Sequence, residues 1–259
     1  MKNTRFPLVF PLLGAVLVVF ILLPLGVTLL SSPPRQVAEA LLAAEVRQTI
    51  ARTLSAAGIA TAIGLLGGLP LAYLLARARF PGKRIVEGVI DLPVIIPHTA
   101  AGIALLMVFG RQGLLGKPLS QFGLIFTDTL TGIVTAMLFV SLPYLVNMSR
   151  EAFALIDSEM EQVAAIDGAS PWQAFWYVTL PQAWRGIAGG ALMMWARGIS
   201  EFGAVVILAY HPKVVTVLIF ERFQGFGLSQ VLPVTILLIL VALLVFILLR
   251  WVLLPERKH

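Results

Sequence analysis

The chain has 259 residues, 59% of them hydrophobic and only 12% charged, with a mean hydropathy of +0.94. Soluble domains carry roughly 25% charged residues, so a water-soluble fold is excluded; at about 20 apolar residues per crossing, the length admits about five to seven membrane helices and no sizeable soluble domain. The 19 basic residues against 13 acidic ones fit loops at an anionic membrane surface rather than a nucleic-acid partner, and the absence of cysteine excludes disulfides, thiolate metal sites and a cysteine nucleophile.

Lys2 and Arg5 precede an apolar run over 6–30. Secretion-signal cores run about 7–15 residues and end at a small-residue cleavage site. This run is longer and lacks that site, so it reads as a retained first span. Five more spans are expected near 50–76, 89–109, 130–148, 187–209 and 232–254. The fold class is therefore an all-α polytopic membrane protein of six transmembrane helices, forming a single transmembrane domain over 1–259. Gly64 and Gly68 give a Gly-xxx-Gly spacing that permits close helix approach. Pro93, Pro97 and Pro143 imply kinks within their spans. Arg77, Arg79, Lys83 and Arg84 cluster in one short loop, on the side that Lys2, Arg5, Arg150, Arg185, Arg257 and Lys258 would share. Basic residues favour the inner side, so both termini are expected in the cytosol.

The longest inner segment, 149–186, is the one polar stretch large enough to recognise something. Ser158 with Glu161 reads as a capping box that starts a helix, with Met160, Val163 and Ala164 as a small apolar face. Gly168 can end it in a left-handed conformation. Ser170-Pro171-Trp172-Gln173 reads as a second capping box with proline at the first helical position, and Pro181 is expected to end that second helix. The elbow carries Glu151, Asp157, Glu159, Glu161 and Asp167. Five acids suit an anionic leaflet poorly, which favours a docked protein over a headgroup surface.

From Glu161 to Ser170, followed by Val178-Thr179-Leu180-Pro181, the sequence resembles the cytoplasmic EAA loop of ABC importer permeases. Gly168 and Pro181 keep the family's spacing, while Gln162 and Val163 stand where the family usually has glutamate and alanine. Three further stretches resemble the molybdate and tungstate branch: Asp91 to Gly102, Trp195 to Ala204, and Leu218 to Phe223. Sulfate permeases share the glutamate–aromatic–glycine element in a related form. The resemblance implies a type I (MetI-like) importer permease in the plasma (inner) membrane, working as a homodimer. It implies two cytoplasmic ATPase subunits that hold ATP and Mg, an extracytoplasmic oxyanion-binding protein, and no cofactor on this chain. It also implies that Glu161, Gln162, Val163, Ala164, Ala165, Gly168, Ala169, Ser170 and Pro181 couple to the ATPase. Catalytic residues are expected to be none, because no phosphate-binding loop or hydrolase motif occurs in the sequence.

Arg197 and Glu201 lie four apart on a helix expected to cross the bilayer, so they can pair. An unpaired charge there costs roughly 2.5–3.5 kcal/mol. Either they form a structural pair or, with Pro97, His98, Phe202 and Gly203, they line or gate the substrate path. Asp91 and His98 share a helix face, which raises proton relay; His98 is otherwise expected to bond a backbone carbonyl freed at the kink. Basic outer loops could steer an oxyanion or an acidic partner, or be ordinary solvated charge. Three alternatives stand beside the importer reading: a permease for sulfate or another oxyanion, a gradient-driven secondary transporter, and an intramembrane enzyme built on Asp91 and His98.

Overall fold

The structure, a computed structural model, describes residues 9–253. The basic residues Lys2 and Arg5 and the tail 256–259, expected to anchor at the interface, lie outside the described residues. No strand occurs among the described residues. The helices run α1 (Val9–Leu30), α2 (Pro34–Leu42), α3 (Ala44–Arg77), α4 (Lys83–Ile95), α5 (His98–Phe109), α6 (Gly116–Ser120) and α7 (Leu130–Ala154). They continue as α8 (Ser158–Ile166), α9 (Pro171–Ala174), a π turn (Phe175–Thr179), α10 (Leu180–Ile199), α11 (Gly203–Leu208), α12 (Val215–Phe226) and α13 (Leu228–Leu253).

α1, α3, α7 and α13 are long and apolar enough to cross a bilayer, and α4 with α5 makes a fifth candidate if taken as one broken span. α10, at 20 residues, has the length of a sixth, about 30 Å at 1.5 Å per residue, but carries Arg185 and Arg197. Two expected spans are not continuous rods. Instead of one kinked helix over 89–109, α4 and α5 meet at an angle of 113°. Pro97 has no N–H to continue the ladder, and it forces Ile96 into extended backbone (φ −75°, ψ 146°). The expected span 187–209 begins earlier, at Leu180, and α10 stops at Ile199; a break over 200–202 and the short α11 follow.

α3, α7 and α10 form the centre of the bundle. Small residues let them close: a Cβ on Gly64 would sit 2.6 Å from Met194 Cε, and one on Gly68 would sit 3.2 Å from both Leu142 and Val146 side-chain carbons. The Gly-xxx-Gly pair thus sets helix contact on α3. One apolar cluster joins Ala57, Ala60, Leu105, Met137, Val140 and Trp195, where α3, α5, α7, α10 and α11 meet. A second, at the other end of α3, joins Ala72, Leu75, Val146, Phe153 and Ile187 beneath α8. A third packs α2, α3, α12 and α13 around Val46, Leu218 and Val234. α1 buries none of its residues within the chain.

Candidate functional site

Two ionic centres sit near opposite ends of α3. The first belongs to the elbow. α8 starts at Ser158 as expected, but its cap is Asp157, whose carboxylate accepts the Glu159 N–H at 3.0 Å. Glu161 does not close a capping box. It turns inward and accepts from Arg77 Nε (3.1 Å) and Nη2 (2.8 Å), from the Thr179 hydroxyl (2.7 Å) and from the Tyr73 hydroxyl (3.2 Å). Arg77 also donates to the Ile156 carbonyl at 2.9 Å. Gly168 takes φ +90°, the left-handed turn expected of it. The Ser170–Gln173 capping box is present in both directions.

Pro181 does not end the second helix. Residues 171–199 are helical throughout, and the π turn just before Pro181 shifts the ladder so that Leu180 N–H reaches Phe175 O. A proline lacks the donor that the carbonyl four residues earlier would need, and such a one-turn bulge accommodates the loss. The expected apolar face of α8 is not buried: Met160 and Val163 are exposed, and Ile166 is 84% exposed. Gln162, Ala165 and Pro181 are likewise exposed, and Ala164 and Ala169 are half-buried. An open cavity of about 760 Å³ lies beside the elbow, lined among others by Glu151, Leu155, Asp157, Trp184 and Arg185.

The second centre lies where α4–α5 and α10–α11 break. Glu201 is 1% exposed. Its Oε2 lies 3.0 Å from Arg197 Nη2 and 2.6 Å from His98 Nδ1, and its Oε1 accepts the Ala204 N–H at 2.8 Å. A carboxylate only accepts, so His98 Nδ1 donates to it, and Arg197 Nη2 lies beside the ring, 2.7 Å from Nδ1 and 2.8 Å from Nε2. The expected Arg197–Glu201 pair is therefore real, and His98 joins it rather than bonding a kink carbonyl. The backbones also meet closely: a Cβ on Gly203 would lie 2.8 Å from His98 Cβ, and one on Gly102 2.9 Å from Ala204 Cα. Phe202 packs on Phe220 of α12, ring centres 4.9 Å apart. Pro97 is exposed at the bend. Asp91 is not brought to His98; it accepts from Asn147 Nδ2 at 2.6 Å, so a relay through these two has no contact to run on.

Several basic residues expected in outer loops are paired. Lys213 pairs with Glu221, Arg222 with Glu45 at 3.0 Å, and Arg35 with Glu39 at 2.9 Å. Tyr210 donates to the other oxygen of Glu221. Burial pushes the Glu221 carboxyl up, but the hydrogen bonds from Lys213 and Tyr210 outweigh it and hold the group below its usual value. The hydrogen bond to Glu221, ahead of burial, pushes the Tyr210 phenol up.

Residues 68–257 match the family described as the binding-protein-dependent transport system inner membrane component. The chain belongs to that family. It is an ABC importer permease, a multi-pass membrane transport component and not an enzyme. It is 40% identical to the molybdate/tungstate transport system permease protein of Thermococcus kodakarensis, over 96% of each chain. It is 31% identical to a probable sulfate transport system permease protein of Nephroselmis olivacea, over 100% of this chain and 93% of the relative. The permease fold superposes on the crystal structure of a bacterial ABC transporter for alginate import with a TM-score of 0.74, at 17% identity, covering 97% of this chain and 96% of that one.

Sequence reasoning found Arg197, Glu201, Gly168 and Ser170. It placed His98 in one set with Glu201 but expected it to bond a backbone carbonyl, and it missed Arg77, Tyr73 and Thr179 as partners of Glu161. A signal did exist: Arg77 is the one basic residue in the last turn of α3, next to the loop that α8 must cover.

Proposed function

We propose that this permease forms the transmembrane path for molybdate or tungstate, working by alternating access driven by a partner ATPase. The observation that carries the coupling is the elbow, residues 158–181: a capped two-helix turn with Gly168 at its bend and with Met160, Val163 and Ile166 exposed. Apolar residues left uncovered at the tip of a charged helix suit a protein groove better than water. Gln162, Val163, Ala164, Ala165, Ala169, Ser170 and Pro181 are the proposed ATPase-facing set, with Glu161 behind them. On this reading the permease is a homodimer in the plasma membrane, with both termini cytoplasmic. Two ATPase subunits hold all the ATP and Mg chemistry, an extracytoplasmic binding protein delivers the oxyanion, and this chain carries no cofactor. The molybdate or tungstate assignment is supported by a near full-length relative at 40% identity. The sulfate relative at 31% makes sulfate the second reading.

The His98–Arg197–Glu201 centre, with Pro97, Phe202 and Gly203, is the proposed gate. It pins two helix breaks to each other, so an opening path must either carry it as a unit or part it. ATPase closure would shift both elbows and open the path outward; hydrolysis would reset it.

The test has two arms. The tagged chain should retain its ATPase through purification, and a variant with 159–170 replaced by a Gly/Ser linker should lose it while still purifying as a folded membrane protein. An ATPase retained by the linker variant would refute the coupling role. Uptake of molybdate competed by tungstate and not by sulfate supports the first assignment; uptake competed by sulfate transfers it to the second.

A further inference from the structure

The elbow's charged residues are not equivalent. Glu159 is exposed and Asp157 caps its own helix, whereas Glu161 is enclosed, with its side chain and that of Arg77 each 19% exposed. Its two oxygens take four donors from two separate long helices: Arg77 and Tyr73 near the end of α3, and Thr179 at the start of α10. Oε1 takes both Arg77 nitrogens and the Thr179 hydroxyl, and Oε2 takes Tyr73, so most of the carboxylate's accepting capacity is spent inside the chain.

We propose that Glu161 is a positioning residue that ties the elbow to α3 and α10 together, so that elbow displacement is passed to both helices at once. This rests on reading 158–181 as the ATPase-coupling element. The two helices lead directly to the second ionic centre. At 1.5 Å per residue, about 27 Å of rise separates Thr179 from Arg197, and about 30 Å separates Arg77 from Ala57. At that far level α3 and α10 touch again, where a Cβ on Gly198 would lie 3.3 Å from Ala57 Cβ. A bond to α3 alone would let α10 slide past it when the elbow moves. A shared acceptor keeps the two rods in register, so the force arrives at the His98–Arg197–Glu201 centre as one displacement. Thr179 closes the π turn, where the ladder of the α9–α10 run is one residue out of α register.

The test uses the complete complex, permease with ATPase and oxyanion-loaded binding protein, reconstituted in liposomes. Glu161→Gln, Arg77→Gln and Thr179→Val are compared with the charge reversal Arg77→Glu/Glu161→Arg. Two quantities are read: ATPase retained per permease, and molybdate imported per ATP hydrolysed. The positioning role requires unchanged ATPase retention. Import per ATP should fall by about fivefold or more in Glu161→Gln and Arg77→Gln, the low end of ordinary coupling energies. The fall should be smaller in Thr179→Val, and partly restored in the reversal. Wild-type import per ATP in the single variants overturns the proposal. So does loss of ATPase retention in them, which would assign Glu161 to docking instead. Thr179→Val keeps the side-chain volume, so it carries the test if the charge variants do not fold. Retention of the ATPase by the 159–170 linker variant would instead sink the coupling reading, and is scored separately.

Discussion

Removing the charge of Glu201 tests whether the centre at the helix breaks is a structural clamp. Glu201→Gln keeps the shape and keeps an oxygen for the Ala204 N–H, so that hydrogen bond, worth about 1 kcal/mol, is retained. What goes is the counter-charge of Arg197 and the acceptor of His98 Nδ1–H. Breaking a fully buried ion pair costs about 3–5 kcal/mol. Arg197 is 22% exposed and His98 35%, so water recovers part of that cost, and about 2–3 kcal/mol is expected. For a chain of this length that lowers the melting midpoint by about 5–10 °C. The assay is thermal unfolding of the detergent-purified permease–ATPase complex. Arg197→Met alone should cost a similar amount, since it strands the carboxylate. The double variant Arg197→Met/Glu201→Gln should recover most of the loss, because replacing a buried pair by well-packed uncharged groups is close to neutral. A double variant whose loss equals the sum of the two singles would refute the clamp, as would a single variant within about 0.5 kcal/mol of wild type.

Gly203→Ala forces a Cβ to 2.8 Å from His98 Cβ, and should cost about 1–3 kcal/mol by overpacking. Gly67→Ala, with nothing within 4 Å, should leave the melting midpoint unchanged; equal effects would show that the contact does not matter. Gly168→Ala strains a residue at φ +90° by about 1–2 kcal/mol. It should weaken ATPase retention while the melting midpoint of the membrane part stays put, and normal retention would count against the hinge. Ser170→Ala removes a capping box and should destabilise α9 by about 1 kcal/mol, read as faster amide exchange over 171–174. The Glu221 carboxyl is held below its usual value, so its contribution to stability is present above about pH 4.3 and is lost as pH falls through the lower folded value. Tyr210 is raised, so its contribution holds below about pH 10 and is lost at higher pH. The gap in melting midpoint between wild type and Glu221→Gln should therefore shrink in acid; a constant gap would dismiss the ionised pair.

Local grammar was the part of the chain that sequence could speak for. Gly168 needed its left-handed turn and Ser170-Pro171-x-Gln173 its box, because both depend on backbone geometry within a few residues. Arg197 and Glu201 were legible for the same reason, being one helical turn apart. His98 was not: its partner lies 103 residues away, and nothing in the local pattern distinguishes a histidine that bonds a nearby carbonyl from one that meets a distant carboxylate. Glu161 shows the competition in reverse. Its spacing from Ser158 satisfies the capping-box rule, but Asp157 is one residue nearer the first turn, and the bidentate Arg77, 84 residues away, offers a charged partner that a backbone N–H cannot match. Pro97 marked the break in the third expected span as a kink but not its 113°, and the break in the fifth escaped, because hydropathy averages over a window and reports how apolar a stretch is, not which way it points.

Those breaks and the two ionic centres make sense together. A rod that crosses a bilayer unbroken can tilt or slide, but it offers no place where a path can open without moving its whole length. α3 and α7 are such rods, running 34 and 25 residues without interruption. α4–α5 is bent by 113° and α10–α11 is interrupted over 200–202, and both breaks lie where Glu201 holds His98 and Arg197. Glycine at 102 and 203 brings the bent segments so close that their backbones nearly touch, which leaves little freedom for one to move alone. Glu161 fastens the elbow to α3 and α10, one unbroken rod and one that ends at the far break. On the proposed coupling, motion received at the elbow is carried by the continuous helices and released where the helices are discontinuous. Work on a solute then rests on two carboxylates, Glu161 half-buried and Glu201 buried, about 30 Å of helix apart.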